Sequence, residues 1–202
     1  MMRHKKTLAL AMTAALLLSG IVSAGSFLTR AQAVRGEVLR LHVLANSDSP
    51  EDQALKLCVR DALLRAGGTL FDGSADIANV REKLAQNRAL LQAAGEAVIR
   101  GSGKAYSLSV FVTDEYFATR SYGDVTLPAG RYTAVKAVIG EGAGQNWWCV
   151  MFPPLCLPAA EAEPEEYFDA PSLELLESDP KIEVRFKLVE WVETLRARWF
   201  VH

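Results

Sequence analysis

The sequence predicts an α/β (α+β) fold: a single exported domain with a mixed or antiparallel sheet, packed by two long helices and a C-terminal helix. Three observations carry this. Segments 38–45, 106–113, 131–139 and 147–152 are short and rich in Val, Leu and aromatics, with period-two alternation in the first two. Between the first two lie long stripes of apolar residues at spacings of three and four. Ahead of everything, a basic start precedes a charge-free apolar run, the layout of a secretory signal.

That run extends from Thr7 to Ala24, after Arg3, His4, Lys5 and Lys6. Val22-Ser23-Ala24 and Ala31-Gln32-Ala33 are small-residue cleavage patterns, so residues 1–33 read as a signal peptide or an N-terminal anchor. Either way the remainder is exported. Loss of Arg3, Lys5, Lys6 and Arg30, with no acidic residue, takes the net charge from −2 to −6, or to −5 if Arg30 stays. A mildly acidic exported chain argues against nucleic acid as partner and against adhesion to anionic lipid, since phosphate binding needs a basic surface. Residues 34–158 then form the α/β domain, of a length that supports a real core.

Leu39, Leu41 and Val43 point one way along the first strand and Arg40 and His42 the other, as in a half-buried strand with an outward His42. Ser49 is an N-cap with Pro50 at N1 and Asp52 at N3, opening a helix to about Ala66 that buries Leu55, Cys58, Val59 and Ala62. Gly67-Gly68 is its stop. A second helix, about Ala75 to Arg100, buries Ile77, Val80, Leu84, Leu91, Ala94 and Val98, with Asn87 interrupting the stripe. Tyr106–Thr113 is a strand, Pro128-Ala129-Gly130 a turn and Arg131–Ile139 a strand. Gly140-Glu141-Gly142-Ala143-Gly144 leads into another strand pattern rather than a helix, so it reads as a hairpin turn and not a phosphate cradle.

Asn146-Trp147-Trp148-Cys149-Val150-Met151-Phe152-Pro153-Pro154-Leu155-Cys156 holds two of the four tryptophans and two of the three cysteines. In an exported chain Cys149 and Cys156 are candidates for a disulfide; two buried free thiols, a metal pair or a reactive thiol are the alternatives. Only His42 and His202 remain after the leader, so zinc lacks ligands and a thiol nucleophile would need His42 as base. Residues 159–179 carry eight acidic residues and no Lys or Arg, the composition of a flexible linker. In 180–202, Ile182, Val184 and Phe186 alternate before Leu188, Val189, Val192, Leu195 and Trp199 take helical spacing, a strand–helix tail that suits docking on the core.

There is no G-x-S-x-G, H-E-x-x-H or C-x-x-C. Asp48, Glu51 and Asp52 form a carboxylate cluster that helix-start chemistry explains, although Asn46-Ser47-Asp48-Ser49 is denser in small polar groups than a cap requires. An extracytoplasmic hydrolase or thiol-dependent enzyme, or an envelope-binding structural protein, are the readings that compete with a signalling protein.

The stretch Leu39-Arg40-Leu41-His42-Val43-Leu44-Ala45-Asn46-Ser47-Asp48-Ser49, with Asp52-Gln53 and Val59-Arg60-Asp61, resembles the opening motif of the stage II sporulation protein R family. Pro128-Ala129-Gly130-Arg131-Tyr132, the Trp147–Cys156 segment and the tail Lys181–Glu190 resemble its later motifs, with Met151 where Leu is usual. The resemblance implies a non-enzymatic protein secreted by the forespore into the intermembrane space, with no cofactor, no metal and no small-molecule substrate. Its implied partner is a membrane-embedded aspartic protease of the mother cell, stage II sporulation protein GA, which then processes pro-sigma E. Membrane contact is expected only through the N-terminal segment. Asn46, Ser47, Asp48 and Ser49 with Trp147, Trp148, Phe152, Pro153 and Pro154 are the candidate partner surface, held rigid by prolines and a crosslink.

Overall fold

A computed structural model describes residues 2–72, 76–123, 125–155 and 167–176. In chain order the elements are α1 (Met2–Gly36), β1 (Leu39–Leu44), α2 (Pro50–Phe71), α3 (Ile77–Gly101), β2 (Leu108–Phe117), β3 (Arg120–Tyr122), β4 (Val125–Leu127), β5 (Gly130–Ile139), β6 (Asn146–Phe152) and α4 (Ala170–Leu176). The expected α+β class is observed, with a mixed four-stranded sheet ordered β2-β5-β1-β6 and a separate β3–β4 ribbon.

The expected hairpin between the last two strands does not form. β1 lies between them, parallel to β5 and antiparallel to β6. The glycine loop therefore crosses two strand spacings, roughly 10 Å, rather than the one a hairpin bridges. The cause lies in β1, whose residues are buried along almost the whole strand. A strand covered on both faces is most stable with neighbours on both edges, since each unpaired buried peptide group is costly.

One face of the sheet carries Leu39, Leu41, Val43, Val110, Val135, Ala137, Cys149 and Met151 against α2 and α3. The other carries Ala134, Tyr132, Phe117 and Val150 against Phe27, Ala31 and Val34 of α1 and Phe168, Leu175 and Leu176 around α4. This second core corrects two expectations. Arg40 and His42, read as outward-facing, are 1% and 4% exposed. Within the segment read as linker, residues 167–176 include a packed helix; residues 156–166 and the strand–helix tail lie outside the described residues.

α2 starts as its sequence dictates, with Ser49 Oγ accepting from the Asp52 amide at 3.2 Å and Pro50 at the first turn. It does not stop at Gly67-Gly68 but runs on to Phe71. A β-carbon at Gly67 would stand 3.3 Å from Met151 Cγ, so this glycine lets the helix lie close to the sheet. The added turn buries Phe71 edge-on to Phe152, centroids 6.5 Å apart. Burial of a Phe contributes about 1.5–3 kcal/mol, enough to offset roughly 1 kcal/mol for each helical glycine. Cys58, expected in the core, is exposed. It follows Lys56 and Leu57 and precedes Val59, and it sits about 100° round the helix from buried Val59.

α3 is kinked at Asn87 (φ −122°, ψ 17°), whose Nδ2 donates to the Lys83 carbonyl at 2.9 Å. Beyond the kink the buried line is Leu91, Gly95 and Ile99; Ala94 and Val98 are half-buried. A β-carbon on Gly95 would collide with Leu108, so the glycine sets the helix-to-sheet distance.

Candidate functional site

The turn from β1 into α2 and the glycine loop are one construction. Asn46 O and Ala45 O accept the amides of Ala143 and Gly144 at 3.1 and 3.0 Å. Asn46 Oδ1 accepts the Glu141 amide at 3.1 Å, and Asp48 Oδ1 accepts that of Gln145 at 2.7 Å. From below, Asp52 Oδ2 accepts from Asn46 Nδ2 (2.8 Å) and Ser47 Oγ (2.6 Å). Those bonds, Ser47 first and Asn46 next, hold the Asp52 carboxyl below its ordinary range. Lys56 Nζ closes the clamp on the Gln145 carbonyl at 3.0 Å. The density of small polar residues in Asn46-Ser47-Asp48-Ser49 is thus used in fixing the loop that delivers Asn146 and Trp147.

Trp147 and Trp148 diverge, as neighbours on a strand must. Trp147 is 36% exposed, with the Arg60 guanidinium 4.5 Å from its ring centroid. Trp148 turns inward and stacks on His42 at 3.7 Å and 18°, with Phe117 edge-on at 4.9 Å. His42 Nδ1 meets Glu115 Oε2 at 2.6 Å and Nε2 meets Asn146 Oδ1 at 2.8 Å. Lys136 Nζ donates to Glu115 Oε1 at 2.5 Å. Burial pushes the Glu115 carboxyl up, but the hydrogen bonds from Lys136 and His42 outweigh it and leave the group below its usual value.

Arg40 sits further along the same face. Its guanidinium lies 4.3, 5.1 and 5.4 Å from the ring centroids of Phe117, Tyr132 and Tyr122. Nε donates to the Cys149 carbonyl and Nη2 to Tyr122 Oη, at 3.1 and 2.8 Å. Burial lowers its proton affinity and the tyrosines oppose that shift. Three aromatic faces stabilise a cation that water does not reach.

The imidazole–carboxylate pair has the geometry of a base and its orienter, yet its free nitrogen is met by the Asn146 amide rather than by a hydroxyl or thiol. Cys149 is registered with Leu41 and lies on the opposite face from His42, so the thiol reading with His42 as base does not assemble. Among the described residues no three His, Cys, Asp or Glu side chains are grouped to hold a metal.

Of the candidate surface, Trp147 and Asp48 are exposed, Asn46, Ser47, Ser49, Trp148 and Pro154 half-buried, and Phe152 and Pro153 buried. Phe152 packs on Phe71 and Tyr167, so its place is the core and not a contact face. Cys156 lies outside the described residues. Sequence reasoning missed Glu115, which reaches His42 from β2, and Lys136, which reaches Glu115 from β5, and it singled out Arg60 only within the opening motif and not as a partner of Trp147. A polar pair inside an otherwise apolar strand was the one available signal.

The model of the family described as stage II sporulation protein R (spore_II_R) matches residues 35–162. A Bacillus subtilis (strain 168) protein named stage II sporulation protein R is 32% identical over 182 residues, covering 79% of this chain and 81% of that protein. No solved structure matches. The matched residues include β1 with the loop it clamps, the Pro128–Tyr132 turn and the tryptophan strand, and the chain belongs to the stage II sporulation protein R family.

Proposed function

We propose that this chain is a secreted intercellular signal of endospore formation that binds the membrane-embedded aspartic protease stage II sporulation protein GA and favours its active state, so that pro-sigma E is processed. Membership of the family implies a role in sporulation. The finer reading is supported by one observation above all: Trp147 is a large aromatic held half-open on a rigid edge strand, braced by Arg60 and by the clamp around Asn46. Aromatic and arginine side chains in such settings are the residues that dominate protein interfaces. A binder activates only if it holds the active arrangement more tightly than the inactive one.

The N-terminal apolar helix fits export as a signal or an anchor. In this reading Cys149 is crosslinked to Cys156, and Cys58 is the free cysteine. A crosslink there would rigidify the end of the tryptophan strand and lower the entropic cost of binding. The role is that of a ligand and not an enzyme.

Co-expression with the protease and pro-sigma E in a non-sporulating host tests the reading. Processing that depends on this chain is expected. Its absence, with all three proteins shown to be present and the chain exported, would remove the reading.

A further inference from the structure

The edge of the sheet opposite the tryptophan strand is β2. It runs ten residues, Leu108–Phe117, and pairs in unbroken register with β5. Among the described residues no strand pairs with its other side. Ser107 O accepts the Gly140 amide at 2.9 Å, so Ser107 and every second residue after it turn their peptide groups towards β5. Leu108, Val110, Val112, Asp114 and Tyr116 turn theirs outward. Arg88 Nη1 donates to Val110 O at 2.5 Å and Arg131 Nη2 to Asp114 O at 2.7 Å, leaving the Val112 peptide open between them.

Free edges of natural sheets are kept short, bulged, or broken by proline or lysine, because a bare row of peptide groups templates another strand. β2 is long, lies in register throughout and holds no proline or lysine; its charges, Asp114 and Glu115, sit towards one end. At its centre Phe111 and Val112 are 39% and 42% exposed. As neighbours on a strand they lie on opposite faces, so a strand added here covers both.

The charges beside this edge name the occupant. Leu108 and Val110 are buried in the core shared with α2 and α3, so the even-numbered side chains of β2, Asp114 among them, lie on the helix face. Arg88 of α3 reaches Val110 on that same face. Arg88 and Asp114 bond to neutral groups, Val110 O and Thr133 Oγ1. Among the described residues neither is in an ion pair. Val110 and Asp114 stand two residues to either side of Val112. When β2 pairs antiparallel with its own copy about a two-fold axis at Val112, Val110 of each copy stands opposite Asp114 of the other. Arg88 of each copy then meets the Asp114 carboxylate of the other, and Val112 packs on Val112. Val112 N–H and C=O are exchanged between the copies, and Phe111 lies against Thr113. A parallel pairing in register would instead set Arg88 against Arg88.

We propose that β2 is a dimerisation edge, at which two copies of this chain pair antiparallel about Val112 and join their sheets into one. The strand order is then β6-β1-β5-β2 of one copy continued by β2-β5-β1-β6 of the other. The inference is independent of the signalling reading. Its consequence is that the two Trp147 strands stand at the outer ends, seven strand spacings or roughly 34 Å apart, so that a partner with two sites would meet two like faces.

The test measures the mass of the full chain in detergent by size exclusion with light scattering. A dimer is expected at about 100 µM, dissociating towards about 1 µM, as for interfaces at the small end of the range. Val112→Lys sets two like charges directly opposite and should give a monomer at the higher concentration with its thermal midpoint retained, Val112 being exposed. Arg88→Glu and Asp114→Lys should each weaken the dimer about tenfold. An equimolar mixture of those two variants should recover most of that loss, because each supplies the charge the other lacks; association through α1 would not respond to mixing. A full chain monomeric at about 100 µM, a Val112→Lys dimer of undiminished affinity, or a mixture no better than its components would each overturn the proposal. A monomer in which, with Cys58→Ser, a Val112→Cys thiol couples to a Val184→Cys thiol of the same chain would overturn it too and give the edge to the chain's own tail.

Discussion

Asn46 stands where a side chain on Gly140 would have to be. A β-carbon at Gly140 would collide with Asn46 Oδ1, and the glycine backbone is left-handed at φ +55°. The same Oδ1 accepts the Glu141 amide, so Asn46 fills the space and uses it. Gly140→Ala should therefore destabilise by about 2–4 kcal/mol, combining backbone strain and displacement of Asn46. Asn46→Ala alone should cost about 1–3 kcal/mol from lost hydrogen bonds. The double variant should cost less than the sum, because the collision is removed. Urea unfolding of the three variants checks this; strict additivity would show that the two residues do not share the space.

Trp147→Ala should leave folding within about 1 kcal/mol, since the ring is a third exposed and faces the Arg60 guanidinium at the protein surface. Signalling should fall far more, by about 30-fold or greater in the concentration needed, the loss expected of a 2 kcal/mol interface anchor. Trp148→Ala should behave oppositely, losing stability first, because Trp148 stacks on His42 and meets Phe117.

Glu115 gives the fold an acid limb. Hydrogen bonds from Lys136 and His42 hold its carboxyl below the ordinary glutamate range despite burial. A depressed carboxylate contributes stability that is fully present above its unfolded pKa and lost as pH falls through the folded value. Unfolding midpoints measured from pH 7 down to 3 should thus drop below about pH 4.5 in the wild type, starting from the ordinary value of Glu. Glu115→Gln should be less stable at pH 7 and should show a flatter acid limb. An unchanged limb would show that the His42–Glu115–Lys136 network does not persist in solution.

Cys58 should react with a maleimide in the folded chain within minutes, being exposed. Cys149 is buried and should not. Cys58→Ser should change stability by no more than about 0.5 kcal/mol, as at other surface positions. A slow Cys58 would restore the core reading that the helix periodicity suggested.

The end of α1 belongs to the domain. Phe27 and Ala31 are buried in the second core and Arg35 is tied to Ala129. A chain beginning at Gly25 should be more stable than one beginning at Val34 by about 2–5 kcal/mol, the loss expected when a buried aromatic and its neighbours are removed. Equal stability would make that packing dispensable.

What was legible in the sequence was local. The Ser49 cap, the polar break at Asn87 and the divergence of Trp147 from Trp148 all follow from neighbours within a few residues. Strand order was not legible, because the insertion of β1 between β5 and β6 depends on hydrogen bonds across about a hundred residues of chain. For the same reason Arg40 and His42 read as solvent-facing: alternation of polar and apolar residues signals a half-wet strand only when the polar groups lack partners inside. Here Tyr122, Glu115 and Asn146 supply them from distant elements. Cys58 was misplaced by one step of the helix, and Gly67-Gly68 failed as a stop because tertiary contact with Met151 and Phe152 outweighed propensity.

In the proposed role the chain activates by stoichiometric binding through the Trp147 face. The most direct measurement is the rate of pro-sigma E cleavage by the reconstituted protease as a function of the molar ratio of this chain to protease. The rate should climb and saturate near equimolar, with Trp147→Ala shifting the curve to much higher ratios at unchanged substrate and protease. Full activation at a small fraction of the protease concentration would mean turnover, and with an unshifted Trp147→Ala curve it would rule out activation by binding through Trp147.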